Sequence, residues 1–176
     1  MSDPVMIRAR WHDGALHPVG NYPTAWLHDT LNDGEIVSFE VLRDRPMNSH
    51  RHQFAEIRDA WEHLPENVRD APWAQSPETL RKHALIVTGY CDVETIDAGS
   101  KAAAERVSAC VGALARKAHG YAVTVVSGPL VRCYTPHSQS VRAMGGKEFQ
   151  QSKTRVLDWV AAQIGTTRQE LERGAA

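Results

Sequence analysis

Two helices are bracketed in this sequence by their own start and stop signals, and the brackets leave room for strands between them. Ser76-Pro77 opens the first, "SPETLRKHALIVTGY". Ser76 is placed to accept from the first free backbone N–H groups, and Pro77 stands where a missing N–H costs nothing. Glu78 sits early, and Gly89 follows the last apolar residue as a left-handed stop. Ser100 opens the second, "KAAAERVSACVGALARKAHG". It has Ala104, Val107, Val111, Leu114 and Ala118 as its apolar stripe, Arg116 and Lys117 at the negative end, and Gly120 beyond. Between them "CDVETIDAG" reads as a short strand and turn, without a decisive pattern. After them "YAVTVVS" and "LVRCYT" flank Gly128-Pro129 and read as paired strands.

The remaining elements follow the same grammar. "VMIRARWHDGALHPVG" reads as two strands around Asp13-Gly14, a pair suited to the positive φ angles of a tight hairpin. Pro23 lies in the first turn of a short helix, "PTAWLHDTL". "EIVSFEVL" alternates with Val37, Phe39 and Val41 on one side and reads as a strand. Pro46 breaks it, and Asn48 or Ser49 can cap a helix whose stripe is Phe54, Ile57, Trp61 and Leu64. Residues 65–77 read as a loop, and "PHSQSVRAMGGK" as a polar loop with two glycines. A long helix, "EFQQSKTRVLDWVAAQIG", is expected to bury Phe149, Val156, Trp159 or Val160, and Ile164, and Thr167 can cap a last short one. Separated strands and helices predict an α+β fold: short antiparallel strands packed with about four to five helices in a single compact domain over 1–176. Within it, 1–42 holds the N-terminal strands and short helix, 43–165 the main body, and 166–176 a short helix or tail.

The 42% apolar content is enough for a core. No apolar run approaches the roughly 18 residues of a membrane span, and "MSDPVMIRAR" lacks the pattern of a secretory signal. Cys91, Cys110 and Cys133 are too few and too scattered for a disulfide framework, so a reducing cytoplasm is the expected setting.

Charge is distributed unevenly. Lys101 to Leu157 holds nine Lys/Arg against two Glu, a net of +7. Residues 1–100 hold nine Lys/Arg against sixteen Asp/Glu, a net of -7. Such a split suits a region that meets a polyanion. It suits equally two halves that neutralise each other.

Enzyme signatures are missing. There is no G-x-S-x-G elbow, no G-x-G-x-x-G and no C-x-x-C pair. Gly145-Gly146-Lys147 lacks the upstream glycine and following Ser/Thr of a phosphate loop. No catalytic residue and no cofactor is expected. His52, Glu56, Asp59 and His63, at i, i+4, i+7 and i+11, share one helix face and are weak candidates for a metal site. One helix cannot wrap all four around one ion, because the outer pair lies about 16 Å apart.

The stretch "R-P-M-N-S-H-R-H-Q-F-A-E-I" resembles the "R-S-x-x-Q-N-R-x-x-W-A-x-L" of lambda NinB (Orf) type recombination proteins. Arg45, Arg51, Phe54, Ala55 and Ile57 match, while Pro46, Asn48, Ser49 and His50 depart. It is closer still to an uncharacterised phage and prophage family. That family shares "P-x-S-x-S-x-x-x-M-x-x-x-E-F", here Pro136, Ser138, Ser140, Met144, Glu148 and Phe149, and a second helix like "LRKHALIVTGYCD". The likeness spans about 35–165. It implies a phage or prophage recombination or replication accessory protein; for the NinB type it implies a homodimer that binds single-stranded DNA and is not an enzyme.

The residues support such a reading in their own terms. Arg43, Arg45, His50, Arg51 and His52 surround a helix N-terminus, where backbone N–H groups and the dipole favour phosphate. Ser138, Ser140, Arg142, Lys147 and Lys153 lie on the glycine-rich loop and the next helix. Tyr134 and Tyr121 are candidates for base stacking, with core packing as their ordinary use. Two rival readings stand beside this one: a protein-interaction module, such as a phage inhibitor of a host defence or replication factor, and a metal-dependent nuclease built on His52, Glu56, Asp59 and His63.

Overall fold

The computed structural model describes residues 7–39, 47–140 and 143–174, without the side chains of Tyr22, residues 47–51 and Gly174. The fold is α+β, with six α-helices and two small antiparallel sheets among the described residues. The chain divides into two units at Val41/Leu42.

In the first unit, β1 (Ala9–His12) and β2 (Ala15–Pro18) form the expected hairpin, with Trp11 opposite Leu16. Asp13 and Gly14 have φ of 49° and 78°, so both central turn residues adopt the left-handed conformation that matches strand twist. Helix α1 (Asn21–Thr30) follows with Pro23 in its first turn. The strand expected at "EIVSFEVL" is not formed over 35–39, and its remainder lies outside the described residues. The reason is local. Glu35 Oε2 accepts from the Asn32 backbone N–H at 3.0 Å and the Asn32 side-chain amide at 3.1 Å, while Glu35 N–H donates to the Asn32 carbonyl. These bonds fix a turn, and no strand among the described residues pairs with 35–39, leaving Ile36 97% exposed.

In the second unit, α2 (Met47–Glu62), a 3₁₀ turn (Glu66–Val68) and α3 (Pro77–Val87) precede β3 (Cys91–Asp97). Then come α4 (Lys101–His119), β4 (Val123–Ser127), β5 (Leu130–Pro136), α5 (Gly146–Gln163) and α6 (Arg168–Gly174). The sheet order is β3-β5-β4, antiparallel throughout. The indecisive "CDVETID" is thus a full strand, fixed by seven residue pairs with β5.

Local signals act as the sequence indicates. Ser76 and Thr79 form a capping box at α3, Ser100 caps α4 through the Ala103 N–H, and Thr167 accepts from the Glu170 N–H at α6. Two stripes are shifted. Helix α2 begins at Met47, so Asn48 and Ser49 lie inside its first turn and do not precede it as caps. Its buried side is Gln53, Glu56, Ile57, Ala60 and Leu64, while Phe54 is 41% exposed. On α4, Ala104 is buried but Leu114 is 63% exposed and Ala118 exposed. Here Gly112 lets the helix approach the sheet: a Cβ there would stand 3.2 Å from Thr124 Cγ2. The contact turns the 104–112 side inward and Leu114 outward.

The core joins α2, α3, α5 and α6 through Ile57, Ala60, Leu64, Leu80, Ala84, Leu85, Val156, Leu157, Val160 and Leu171. Each large aliphatic side chain contributes about 1.5–3 kcal/mol by leaving water. Phe149 and Val156 are fully buried as expected, and Trp159 and Ile164 partly so.

Candidate nucleic-acid interface

The helix-start stretch and the glycine-rich loop are far apart in sequence and are joined by one side chain. Arg81 of α3 is only 8% exposed. It donates from Nε and Nη2 to the two carboxylate oxygens of Glu78 at 3.0 and 2.7 Å, and from Nη1 to Gln139 Oε1 at 2.6 Å. Its guanidinium carbon also lies 5.2 Å over the centre of the Phe54 ring. Phe54 belongs to the first half of α2, and Gln139 is the middle of "HSQSV", so both candidate segments flank Arg81. Burial by itself raises the Glu78 pKa, but hydrogen bonds and charge from Arg81 and Lys82 outweigh it and hold the carboxyl below its ordinary value.

The loop is tied inward beyond that point. Gln139 Nε2 donates to Ser152 Oγ at 2.9 Å, and Ser152 donates to the Phe149 carbonyl at 2.9 Å. Ser140 N–H donates to Ser138 Oγ, and Ala143 N–H to Ser140 Oγ, both at 3.3 Å. The two serines therefore shape the loop, which is the common use of such residues. Gln53 is fully buried, with neither amide atom hydrogen-bonded. One turn on, Glu56 is 4% exposed and its Oε2 lies 3.5 Å from Lys153 Nζ.

These contacts sort the candidate residues. His52, Ser138, Ser140 and Lys147 are exposed. Lys153 is not available in the same way, because its charge is directed at Glu56 and its side chain is 14% exposed. Tyr134 is half-buried on β5. Tyr121 is 6% exposed, and its hydroxyl is 2.9 Å from His83 Nδ1, which makes it a packing residue. Arg43, Arg45 and Arg142 lie outside the described residues, as do the side chains of His50 and Arg51. The four metal candidates are not gathered. Glu56 turns inward to Lys153, His52 is exposed, and His63 Nδ1 lies 2.8 Å from the Asp59 carbonyl. Among the described residues no group of three or more His, Cys, Asp or Glu is placed to hold a metal ion.

No family model matches the chain, and no curated protein or solved structure matches it. The site must therefore be read from its own charges. In the +7 region, Lys101, Arg106, Lys117, Arg132 and Lys147 are all exposed. Among the described residues, the ion pair Lys153–Glu56 accounts for one cation of that region, and none of these five is in an ion pair. Pairwise neutralisation by the acidic residues thus does not remove them.

Two features escaped sequence reasoning. The role of Arg81 as the joint had no signal, because Gln139 and Phe54 lie on segments that only the fold brings together. The placement of Arg132 beside Tyr134 did have one. Positions i and i+2 of a strand share a face, and the alternation of Val131, Cys133 and Thr135 with Arg132, Tyr134 and Pro136 marks it.

Proposed function

We propose that this chain is a non-enzymatic accessory protein of phage or prophage recombination or replication that binds single-stranded DNA. The observation that carries the reading is the set of exposed cations without carboxylate partners among the described residues, Lys101, Arg106, Lys117, Arg132 and Lys147. Phosphate attraction from such groups supplies most of sequence-independent affinity. Arg45, Arg51 and Arg142 would add to it from segments that border the Arg81 joint in sequence. A homodimer in the bacterial cytoplasm is the assembly this reading expects. Fluorescence polarisation with a labelled single strand at low salt tests it. Binding that weakens steeply with salt is expected; no binding at tens of micromolar protein contradicts it.

A protein-interaction module acting on a host factor is the second reading. It is favoured by the first unit, where Trp11 is 68%, Ile36 97% and Phe39 67% exposed. If it holds, a host protein captured by the full chain is released by Trp11→Ala or Ile36→Asp, and DNA affinity is absent.

A further inference from the structure

The three-stranded sheet has two unlike faces. One is covered by α4: Val131 and Cys133 are 0% and 3% exposed, and Thr124 meets Gly112. The register places Asp92 opposite Thr135 and Glu94 opposite Cys133, so both carboxylates of mid-β3 belong to that side. The other face is closed at one end, where Pro136 is buried and Cys91 half-buried, and carries two rows across its middle. Val93, Tyr134 and Val123 form the first, and Thr95, Arg132 and Val125 the second. Val93 is 52% and Val125 46% exposed, and Thr95 and Arg132 are exposed. Neither row contains a carboxylate. Asp97, at the corner of that side opposite Leu130, has Oδ1 engaged by the Gly99 N–H at 2.8 Å.

This face pairs an aromatic ring with a guanidinium two residues away, a separation of roughly 7 Å along a strand. Valines surround the ring on both neighbouring strands. Arg132 is in no ion pair among the described residues. A positive centre on a partly apolar floor, with the local acids turned to the opposite face, suits a ligand that offers flat rings and negative charge in alternation.

We propose that this open sheet face is a stacking platform for single-stranded DNA. Tyr134 takes a base against its ring, Arg132 takes an adjoining phosphate, and Val93, Val123 and Val125 form the apolar floor. The proposal rests on the nucleic-acid reading given above and adds to it the surface that receives the bases.

The test uses the full chain and a fluorescein-labelled oligothymidylate, titrated by polarisation across a salt series. Tyr134→Leu keeps an apolar side chain but removes the ring, and is expected to weaken binding about tenfold. Tyr134→Phe keeps the ring and is expected to bind like the parent. Arg132→Ala is expected to weaken binding and to reduce the log–log salt slope by about 0.7, the share of one single-strand phosphate. Thr95→Glu alters an exposed side chain, leaves the thermal melt unchanged, sets a carboxylate beside Arg132, and is expected to weaken binding by a similar factor. If the parent binds while Tyr134→Leu, Arg132→Ala and Thr95→Glu all bind equally well, the platform is overturned and the DNA-binding reading stands. If the parent does not bind, both fall. Light scattering supplies the remaining arm: a dimer dissolved by Thr95→Glu, with DNA affinity unchanged, assigns the face to a second copy and overturns the proposal.

Discussion

The same three helices, α2, α3 and α5, meet in two chemically different ways. Toward one end they close over the aliphatic side chains of Ile57, Leu64, Leu80, Leu85, Val156 and Val160. Toward the other they enclose Gln53, Glu56, Arg81, Gln139 and Ser152, all under 9% exposed. The first end is held by area removed from water, which is tolerant of direction. The second depends on directional bonds, and a buried polar group that loses its partner costs more than an ordinary bond contributes. The segment His137–Ser140 is attached at this second end through Gln139. The aliphatic end therefore sets stability, and the polar end sets where the loop and the first turns of α2 are held.

Substitutions can separate the two. Leu85→Ala in the aliphatic end is expected to cost about 2–5 kcal/mol in urea unfolding, from lost transfer energy and the cavity left behind. Its DNA affinity at a temperature where it is folded should be that of the parent. Arg81→Met removes the Arg81 hydrogen bond to Gln139 and the main partner of Glu78, and is expected to cost about 1–3 kcal/mol. Unlike Leu85→Ala, it should also weaken DNA binding while folded, because the joint between α2 and the loop is gone. An Arg81→Met protein that binds DNA normally breaks the distinction between the ends.

Gln53→Leu works in the opposite direction. It replaces an amide that makes no hydrogen bond with an apolar group of similar size. The expected outcome is a gain of up to about 1 kcal/mol in the same unfolding assay. A loss larger than that would show that the Gln53 amide is satisfied and belongs to the polar network.

The smallest expected effect concerns pH. His83 of α3 is stacked on Trp73 with ring centres 5.6 Å apart and tilted against Trp159 at 5.4 Å. Its burial among these rings lowers its pKa from the ordinary 6.5. The folded form therefore binds the proton less readily than the unfolded chain. Stability from this site is complete above about pH 6.5 and declines as the pH falls through that value toward the lower folded one. Thermal melts between neutral and mildly acidic pH should show a decline that His83→Gln reduces.

Much of this molecule can be read from local signals. The hairpin at Asp13-Gly14, the capped starts at Ser76, Ser100 and Thr167, and the stop at Gly120 each rest on neighbouring atoms, so one sequence suffices. What could not be read depends on a competing local turn in one place and on partners distant in sequence elsewhere. The 35–39 strand failed because a strand needs a ladder, and Glu35 is held in a turn by Asn32. The face of α4 shifted because Gly112 meets Thr124 on a strand that comes later. For the candidate site, the residue types were legible, but their use was not. Lys153 had the right charge and spacing for phosphate, and only the packing of α2 on α5 shows it directed at Glu56. Arg81 carried no motif at all, yet it joins the two segments that do.

The central claim is that the exposed cations of the Lys101–Leu157 region meet a nucleic-acid backbone. The most direct measurement is the affinity of the full chain for a labelled oligothymidylate as a function of salt, for the parent and for Lys147→Ala. The account predicts binding at low salt, a linear fall of log affinity with log salt, and a slope smaller by about 0.7 in the variant if Lys147 neutralises one phosphate. Absence of binding at low salt, or affinity indifferent to salt, would contradict it.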